Sequence, residues 1–310
     1  RVAGFVNAIL RKVALDRPER PEPPASLSVP PWVRNRLVAS IGVERTNALL
    51  HLGTEPPSID LRVRRDADRE SVAHAIRDAR PHARVSVTEL SPDGLRVQGG
   101  GDPRALPGYA EGIFAVQEEG AQLIGQLLDA QNGEHVLDAC AGRGGKTAQL
   151  VEAVGPEGRV AATDLHEHRL EQIPDELTRL RLDAGRLDSA CVDWSVGPGA
   201  LRGPFDRVLI DAPCTGLGTL RRRPEIVLRT SPSLPAQMGE TQLRILHNAA
   251  SMVRRGGSLL YAVCSPLAEE GSELVERAHL PGFERVVERA SSLKSLCFGS
   301  SGELSLGPWV

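Results

Sequence analysis

The chain has 310 residues, 41% of them hydrophobic and 25% charged, with a net charge of −3. That length suits one large domain plus a smaller one, and no apolar run approaches the roughly 18 residues a membrane span needs. The slightly negative balance excludes a global pull toward nucleic acid, so any RNA binding would rest on a local basic patch.

Five cysteines, Cys140, Cys191, Cys214, Cys264 and Cys297, form an odd count with no CxxC pair. This argues against a metal site and for reduced thiols in a cytoplasmic protein, read as a monomer. No secretory leader is visible. The start at Arg1 rather than methionine reads as a fragment or a processed product. Lysine occurs only at Lys12, Lys146 and Lys294, arginine supplying every other cation.

In chain order, "RVAGFVNAILRKV" (1–13) has helical spacing, and the proline-rich stretch that follows reads as a linker over 17–31. A small mixed domain is expected from 32 to about 130, with helices near 32–41 and 69–78 and strands near 58–63 and 84–89. A helix over about 117–130 leads into the main domain, 131–310. There, "HVLDAC", "RVAATD", "LDSACVD", "DRVLID" and "GSLLYAV" are short apolar runs that mostly end in an acid or a cysteine. Helical stretches at 145–155, 167–181, 235–255 and 267–277 alternate with them. Alternating strands and helices predict an α/β fold with a doubly wound, mostly parallel Rossmann-like sheet, whose ligands bind at the carboxyl ends of the strands.

"VLDACAGRGGKT" (136–147) reads as strand, glycine-rich turn and helix start. Glycines let backbone approach a ligand, and the helix amino terminus favours an anion. A dinucleotide fingerprint fits poorly, because Thr147 stands at its last glycine position. A nucleoside triphosphate loop fits better, with "GGKT" in place and "VLIDAP" as a companion strand, although Cys140 replaces its first glycine. S-adenosylmethionine is the third candidate, held by Cys140, Ala141, Gly142, Arg143, Gly144, Gly145 and Lys146. Asp164 and Asp193, at the ends of the next two strands, favour an adenosyl group over a triphosphate, which they would repel. Taken singly, Asp138, Asp164 and Asp193 read equally well as caps and turn formers.

"LIDAPCTG" (209–216) and "LLYAVCSP" (259–266) each place a cysteine just past a strand. Carbon-5 of cytosine is a poor nucleophile toward a methyl donor until a thiolate adds to carbon-6, and an acid near N3 assists that addition. Asp211, Cys214 and Cys264 supply these groups on strands expected to be neighbours. Cys191 and Cys297 read as small buried hydrophobes, and Cys140 as lining of the turn. Arg221, Arg222 and Arg223 form the best local basic patch for phosphates beside an extruded base.

These segments resemble the Sun/Fmu-type RNA (cytosine-5)-methyltransferases along nearly the whole chain. "DACAGRGGKT" is similar to the family's D-x-C-A-A-P-G-G-K-T loop, and "DAPCTGLGTLRRRPEI" to its D-A-P-C-[ST]-G-x-G-x-x-R-R-x-P-[DE]-[IL] motif. "LPGYAEGIFAVQEEGAQ", "QLRIL" and "GGSLLYAVCSPLAEE" stand in family order. The resemblance implies methylation of cytosine carbon-5 in RNA, ribosomal RNA of the small subunit in particular, with S-adenosylmethionine as cofactor. It implies Cys264 as the nucleophile and Cys214 as the group that assists release, with residues 140–146, Asp164, Asp193 and Asp211 around cofactor and base; Cys214 stays the alternative nucleophile, because DNA cytosine methyltransferases use the proline-cysteine thiol. It also implies that residues 1–16 are the last helix of a NusB-like domain and that 32–130 form an RRM-like RNA-binding region. The chain departs from the family pattern at A-G-R-G-G-K, at Val263, Val227, Leu228 and Glu118, and in its "GELSLGPWV" ending. A relative that binds RNA with weak or lost activity is the alternative these departures leave open.

Overall fold

A computed structural model describes residues 2–15, 29–52 and 57–285. Residues 17–28 of the expected 17–31 linker, Cys297 and the closing "GELSLGPWV" lie outside the described residues, and Pro31, expected in the linker, already begins a helix.

The amino-terminal part begins with helix α1 (Val2–Leu15) and helix α2 (Pro31–Leu52). The first stretch of α2 ends where expected, at the kink of Gly42 (φ +81°), and a second helical stretch, which was not anticipated, continues from there to Leu52. Next come β1 (Ile59–Val63), α3 (Arg69–Ala79), β2 (Arg84–Val87), β3 (Gly94–Gln98) and β4 (Phe114–Val116). They form an antiparallel sheet in the order β2-β3-β1-β4. Asp68 caps α3 by accepting from the backbone N–H of Ser71. Val72, Ala73 and Ile76 then bury against Leu61, Val63, Leu95 and Val97 on one face of the sheet.

The opposite face is charged and turned inward. Asp60 on β1, 2% exposed, accepts from Arg96 and from the backbone N–H of Glu119. Arg62, 1% exposed, donates to Gln117 at 2.8 Å and pairs with Glu152. Buried charges of this kind persist because they are paired and hydrogen-bonded. Here they join the small sheet to the larger domain.

That domain has five strands, β5 (His135–Asp138), β6 (Arg159–Asp164), β7 (Leu187–Cys191), β8 (Phe205–Asp211) and β9 (Val253–Ala262), all parallel in the order β7-β6-β5-β8-β9. Helices α4 (Glu119–Leu127), α5 (Gly145–Val154), α6 (Glu167–Leu170), α7 (Ile173–Arg179), α8 (Leu234–Ala250) and α9 (Ser272–Ala278) accompany them. Neighbouring residues on the central strands bury on opposite faces, as the twofold alternation of a strand requires. Val136, Val160, Ala162 and Leu209 pack against α5 and α7, whereas Leu137, Ala161, Val208 and Ile210 pack against α8 and α9. Burial on both faces explains why these strands read as unbroken apolar runs.

Several expected boundaries move. The strands β3 and β4 were not anticipated; both are short and sit among glycines. The helix expected over 235–255 stops at Ala250, and Val253 already pairs with Phe205 in the sheet. Residues 254–257 then bulge before Ser258 meets Arg207. The stretch 167–181 divides into α6 and α7, and β7 ends at Cys191, so Asp193 lies two residues beyond it.

Candidate active site

The strand order runs outward from β5 through β6 to β7 and, on the other side, from β8 to β9. The reversal between β5 and β8 opens a crevice at their carboxyl ends, the usual ligand position in such sheets. The glycine turn leaves β5 there, and the Cys214 loop leaves β8.

The turn is fixed from below. Ala141 donates its N–H to the carbonyl of Thr163, and Gly142 donates to Asp164 Oδ2 at 3.0 Å. Gly142 at φ +56° and Gly144 at φ +85° adopt the left-handed conformation that glycine alone takes without strain. A Cβ at Gly144 would also come within 2.8 Å of Ile173 Cγ2. The result is an open cleft of about 230 Å³ lined by Cys140, Ala141, Gly142, Arg143, Gly145, Lys146 and Asp211, with Asp138, Gln117 and Ala121. Gly144, Asp164 and Asp193 do not line it. Asp164 instead holds the turn and accepts from His166 N at 2.8 Å, while Asp193 accepts from the backbone N–H and hydroxyl of Ser195.

Asp138 lies beneath the turn, 1% exposed. Its Oδ2 accepts from the Thr147 hydroxyl at 2.8 Å, and its Oδ1 has no partner. Burial pushes this carboxyl up to about 6, against the opposing pull of the Thr147 hydrogen bond and of Lys146. Lys146 Nζ meets Asp211 Oδ2 at 2.6 Å. This lysine is therefore already engaged by a carboxylate, unlike one left free for a phosphate chain.

The two cysteines follow from the register. Asp211 pairs with Ala262, and the Ala212 N–H donates to the Ala262 carbonyl. The chain leaves both strands together, and Cys214 Sγ comes to 3.2 Å from Cys264 Sγ. The N–H of Gly218 donates to the Cys264 carbonyl, a second tie between the loops. Cys264 is exposed and Cys214 half-buried. The hydrogen bond from Cys214 holds the Cys264 thiol below its ordinary range, against desolvation and the charge of Asp211, with Lys146 adding to the lowering. The same hydrogen bond, with burial and the charge of Glu270, raises Cys214 far above its range, so it keeps its proton. The two thiols are thus unlike, Cys264 the easier and Cys214 the harder to deprotonate. Burial likewise raises Cys140 out of nucleophilic use. Cys191 departs from its expected burial: it is exposed at the end of β7, its Sγ 3.3 Å from the Leu165 carbonyl.

The arginine patch is partly committed. Arg222 reaches Asp60 at 3.7 Å and Glu118 at 3.4 Å, tying the Cys214 loop to the small sheet, and Arg223 reaches Glu225 at 3.4 Å. Behind the two loops stands α2, whose Val33, Leu37, Leu49 and Leu50 pack on Leu217, Leu220 and Leu267. Thr147 was legible within "GGKT", but its bond to Asp138, and the place of Gln117 on the cleft wall, depend on partners distant in sequence.

Among the described residues no helix is long and apolar enough to cross a membrane, and no cluster of three or more His, Cys, Asp or Glu could hold a metal ion.

Comparison with known proteins agrees with this architecture. The chain is 35% identical to ribosomal RNA small subunit methyltransferase B of Pseudomonas putida over 90% of its length, covering 65% of that protein. It is 34% identical to the protein of the same name from Escherichia coli over 88% of its length, covering 63%. It thus spans somewhat under two thirds of these relatives. The solved structure of PH0851 superposes with a TM-score of 0.75 at 27% identity, covering 84% of this chain and 60% of that one. NSun6 from Pyrococcus horikoshii, solved with SFG, shares the fold with a TM-score of 0.71 at 17% identity, over 81% of this chain and 87% of that one. The family of 16S rRNA methyltransferases RsmB/F matches residues 125–289, the segment that carries the five-stranded sheet, the glycine turn and both sulfurs, and the chain belongs to that family.

Proposed function

We propose that the chain methylates carbon-5 of a cytosine in RNA, small-subunit ribosomal RNA being the substrate, with S-adenosylmethionine as methyl donor and a covalent adduct through Cys264. The observation that carries this is the sulfur pair, 3.2 Å apart, on the loops that follow β8 and β9, next to the Lys146–Asp211 pair that lines the glycine-turn cleft. A relative of the same fold was solved with SFG, an analogue of S-adenosylmethionine, and the names of the curated relatives carry the ribosomal RNA substrate.

The cleft suits that cofactor. Gly145 has nothing within 4 Å of a Cβ position, and the buried Asp138 Oδ1 lacks a donor that a cationic ligand would supply. Arg143 and the amino terminus of α5 would take a carboxylate, and Asp138 and Asp211 a positive centre. Asp164 and Asp193, whose carboxylates hold turns and do not line this cleft, would meet the ribose and the adenine edge where a bound cofactor extends past its lining. When bound, S-adenosylmethionine supplies the methyl group that carbon-5 accepts.

The Cys264 thiolate adds to carbon-6, the electron pair of the C5=C6 bond shifts into a C4=C5 bond, and N3 takes a proton from the Lys146–Asp211 pair as the charge develops. After methylation solvent water takes the carbon-5 proton, N3 returns its own, the C5=C6 bond reforms, and Cys264 departs as a thiolate. Cys214, holding its proton beside it, donates a hydrogen bond to the departing sulfur. Arg221, Arg222 and Arg223 follow the Cys214 loop and would meet the RNA backbone, Arg223 most freely because Arg222 is tied to Asp60 and Glu118, and the target base must leave its stack to reach the sulfur.

RNA containing 5-azacytidine tests this. It should trap the protein covalently when S-adenosylmethionine is present. Cys264→Ala should abolish trapping, and Cys214→Ala should leave it intact and slow release of natural RNA. Trapping lost in Cys214→Ala and kept in Cys264→Ala would exchange the two roles. RNA binding without trapping or methyl incorporation would leave a binding protein.

A further inference from the structure

Behind the two sulfurs sits a carboxylate that the chemistry above does not use. Glu270 closes the short turn Ala268–Glu270 and is fully buried. Its carboxylate accepts four hydrogen bonds, from the Thr215 N–H at 2.8 Å, the Thr215 hydroxyl, the Ser265 hydroxyl and Gln242 Nε2 at 3.0 Å. All four donors are neutral. Thr215 follows Cys214 and Ser265 follows Cys264, and their hydroxyls stand 3.1 Å apart. Gln242, on α8, also donates to the Pro213 carbonyl at 2.8 Å, so the Cys214 loop is gripped on both sides of the sulfur. Tyr261, on β9, donates its hydroxyl to the Glu270 carbonyl at 2.8 Å, which anchors the turn to the strand that delivers Cys264.

A buried carboxylate is expensive, and a well-packed apolar residue would often serve stability as well. An ionised carboxylate offers what an apolar residue lacks: two oxygens able to accept four bonds from three separate segments at once. Those segments are the Cys214 loop, the Cys264 loop and α8.

We infer that Glu270 is a positioning residue, a fixed anion that clamps Thr215 to Ser265 and thereby holds the Cys214 thiol in place to donate to Cys264. Its charge acts in the same direction, keeping Cys214 protonated. The inference rests on the proposed chemistry for its purpose, but not for its measurement.

The test is the pH dependence of Cys264 alkylation by iodoacetamide, read by peptide mass spectrometry with no RNA or cofactor present, alongside methyl-transfer kinetics. Glu270→Gln keeps the shape but loses the charge and one acceptor. Its alkylation profile should move to higher pH, and kcat should fall about tenfold or more with KM for RNA changed by less than about threefold. Glu270→Asp, which keeps the charge, should recover part of both. If Glu270→Gln does not fold, Ser265→Ala with Thr215→Val removes the clamped hydroxyls and should show the same displaced profile. An alkylation profile identical to that of the parent in a folded variant overturns the inference. A displaced profile in a protein that methylates no RNA supports the clamp and overturns the proposed reaction instead.

Discussion

Replacing Gly144 by alanine should destabilise the protein through two separable terms. Gly144 sits at φ +85°, and a residue with a Cβ pays roughly 1–2 kcal/mol to hold that conformation. The new Cβ would lie 2.8 Å from Ile173 Cγ2 and 2.9 Å from Cγ1. Ile173 is itself fully buried, and overpacking of a closed core costs roughly 1–3 kcal/mol. A loss of about 3 kcal/mol corresponds to a fall in Tm of about 6–12 °C for a domain of this size. Gly145→Ala is the control. A Cβ there meets nothing within 4 Å, and the position begins a helix, so Tm should stay within about 2 °C. Its methyl would nevertheless project from a residue lining the cleft, and S-adenosylmethionine affinity should drop. Thermal melts by circular dichroism, with cofactor titration by calorimetry, separate the two. Equal melting temperatures for Gly144→Ala and the parent would refute this account of the turn.

The remaining expectations concern charge. Asp138 has its carboxyl raised to about 6, so between its unfolded value of 3.8 and that point the folded state binds more protons than the unfolded one. Stability attributable to this group therefore falls as pH rises through about 4–6 and stays lost above. Asp138→Asn should melt higher than the parent at pH 8, by an amount on the order of 3 kcal/mol at most, and the difference should vanish near pH 4; a constant difference across that range would refute it. Arg223→Ala should reduce the salt slope of single-stranded RNA binding by about 0.7, and Arg222→Ala by less, because Arg222 already faces Asp60 and Glu118. Filter binding over a range of salt decides this, and equal slopes for the two variants would count against the ties seen in the structure.

What the residues announced in advance was local. The runs at 135–138, 159–164 and 205–211 carry strand chemistry in themselves, and the glycine turn shows its conformation through its glycines. The sulfur pair was legible because each cysteine follows a strand at nearly the same offset from paired residues. What escaped depends on partners distant in sequence. Whether Val253 ends a helix or starts a strand is decided by Phe205, which it pairs with across the sheet. Arg222 reads as a cation for phosphate until β1 brings Asp60 to it. Glu270 stands in a quoted stretch, yet nothing local distinguishes it from Glu269, which faces Arg36 at the surface. Cys191 reads as core because cysteines are usually buried, but the carboxyl end of β7 leaves it open.

The packing of α2 has a consequence for how the polypeptide can be divided. Sequence composition invites a cut near residue 130, releasing the sheet-bearing half as an autonomous unit. That cut would strip the hydrophobic backing from Leu217, Leu220 and Leu267, and would leave Glu269 without Arg36 and Ala268 without the Ser40 hydroxyl that accepts its N–H. The loops bearing the sulfurs would then stand unsupported on one side. The early helix thus braces the loops that carry both sulfurs, and any shortened chain meant to keep their arrangement has to retain it.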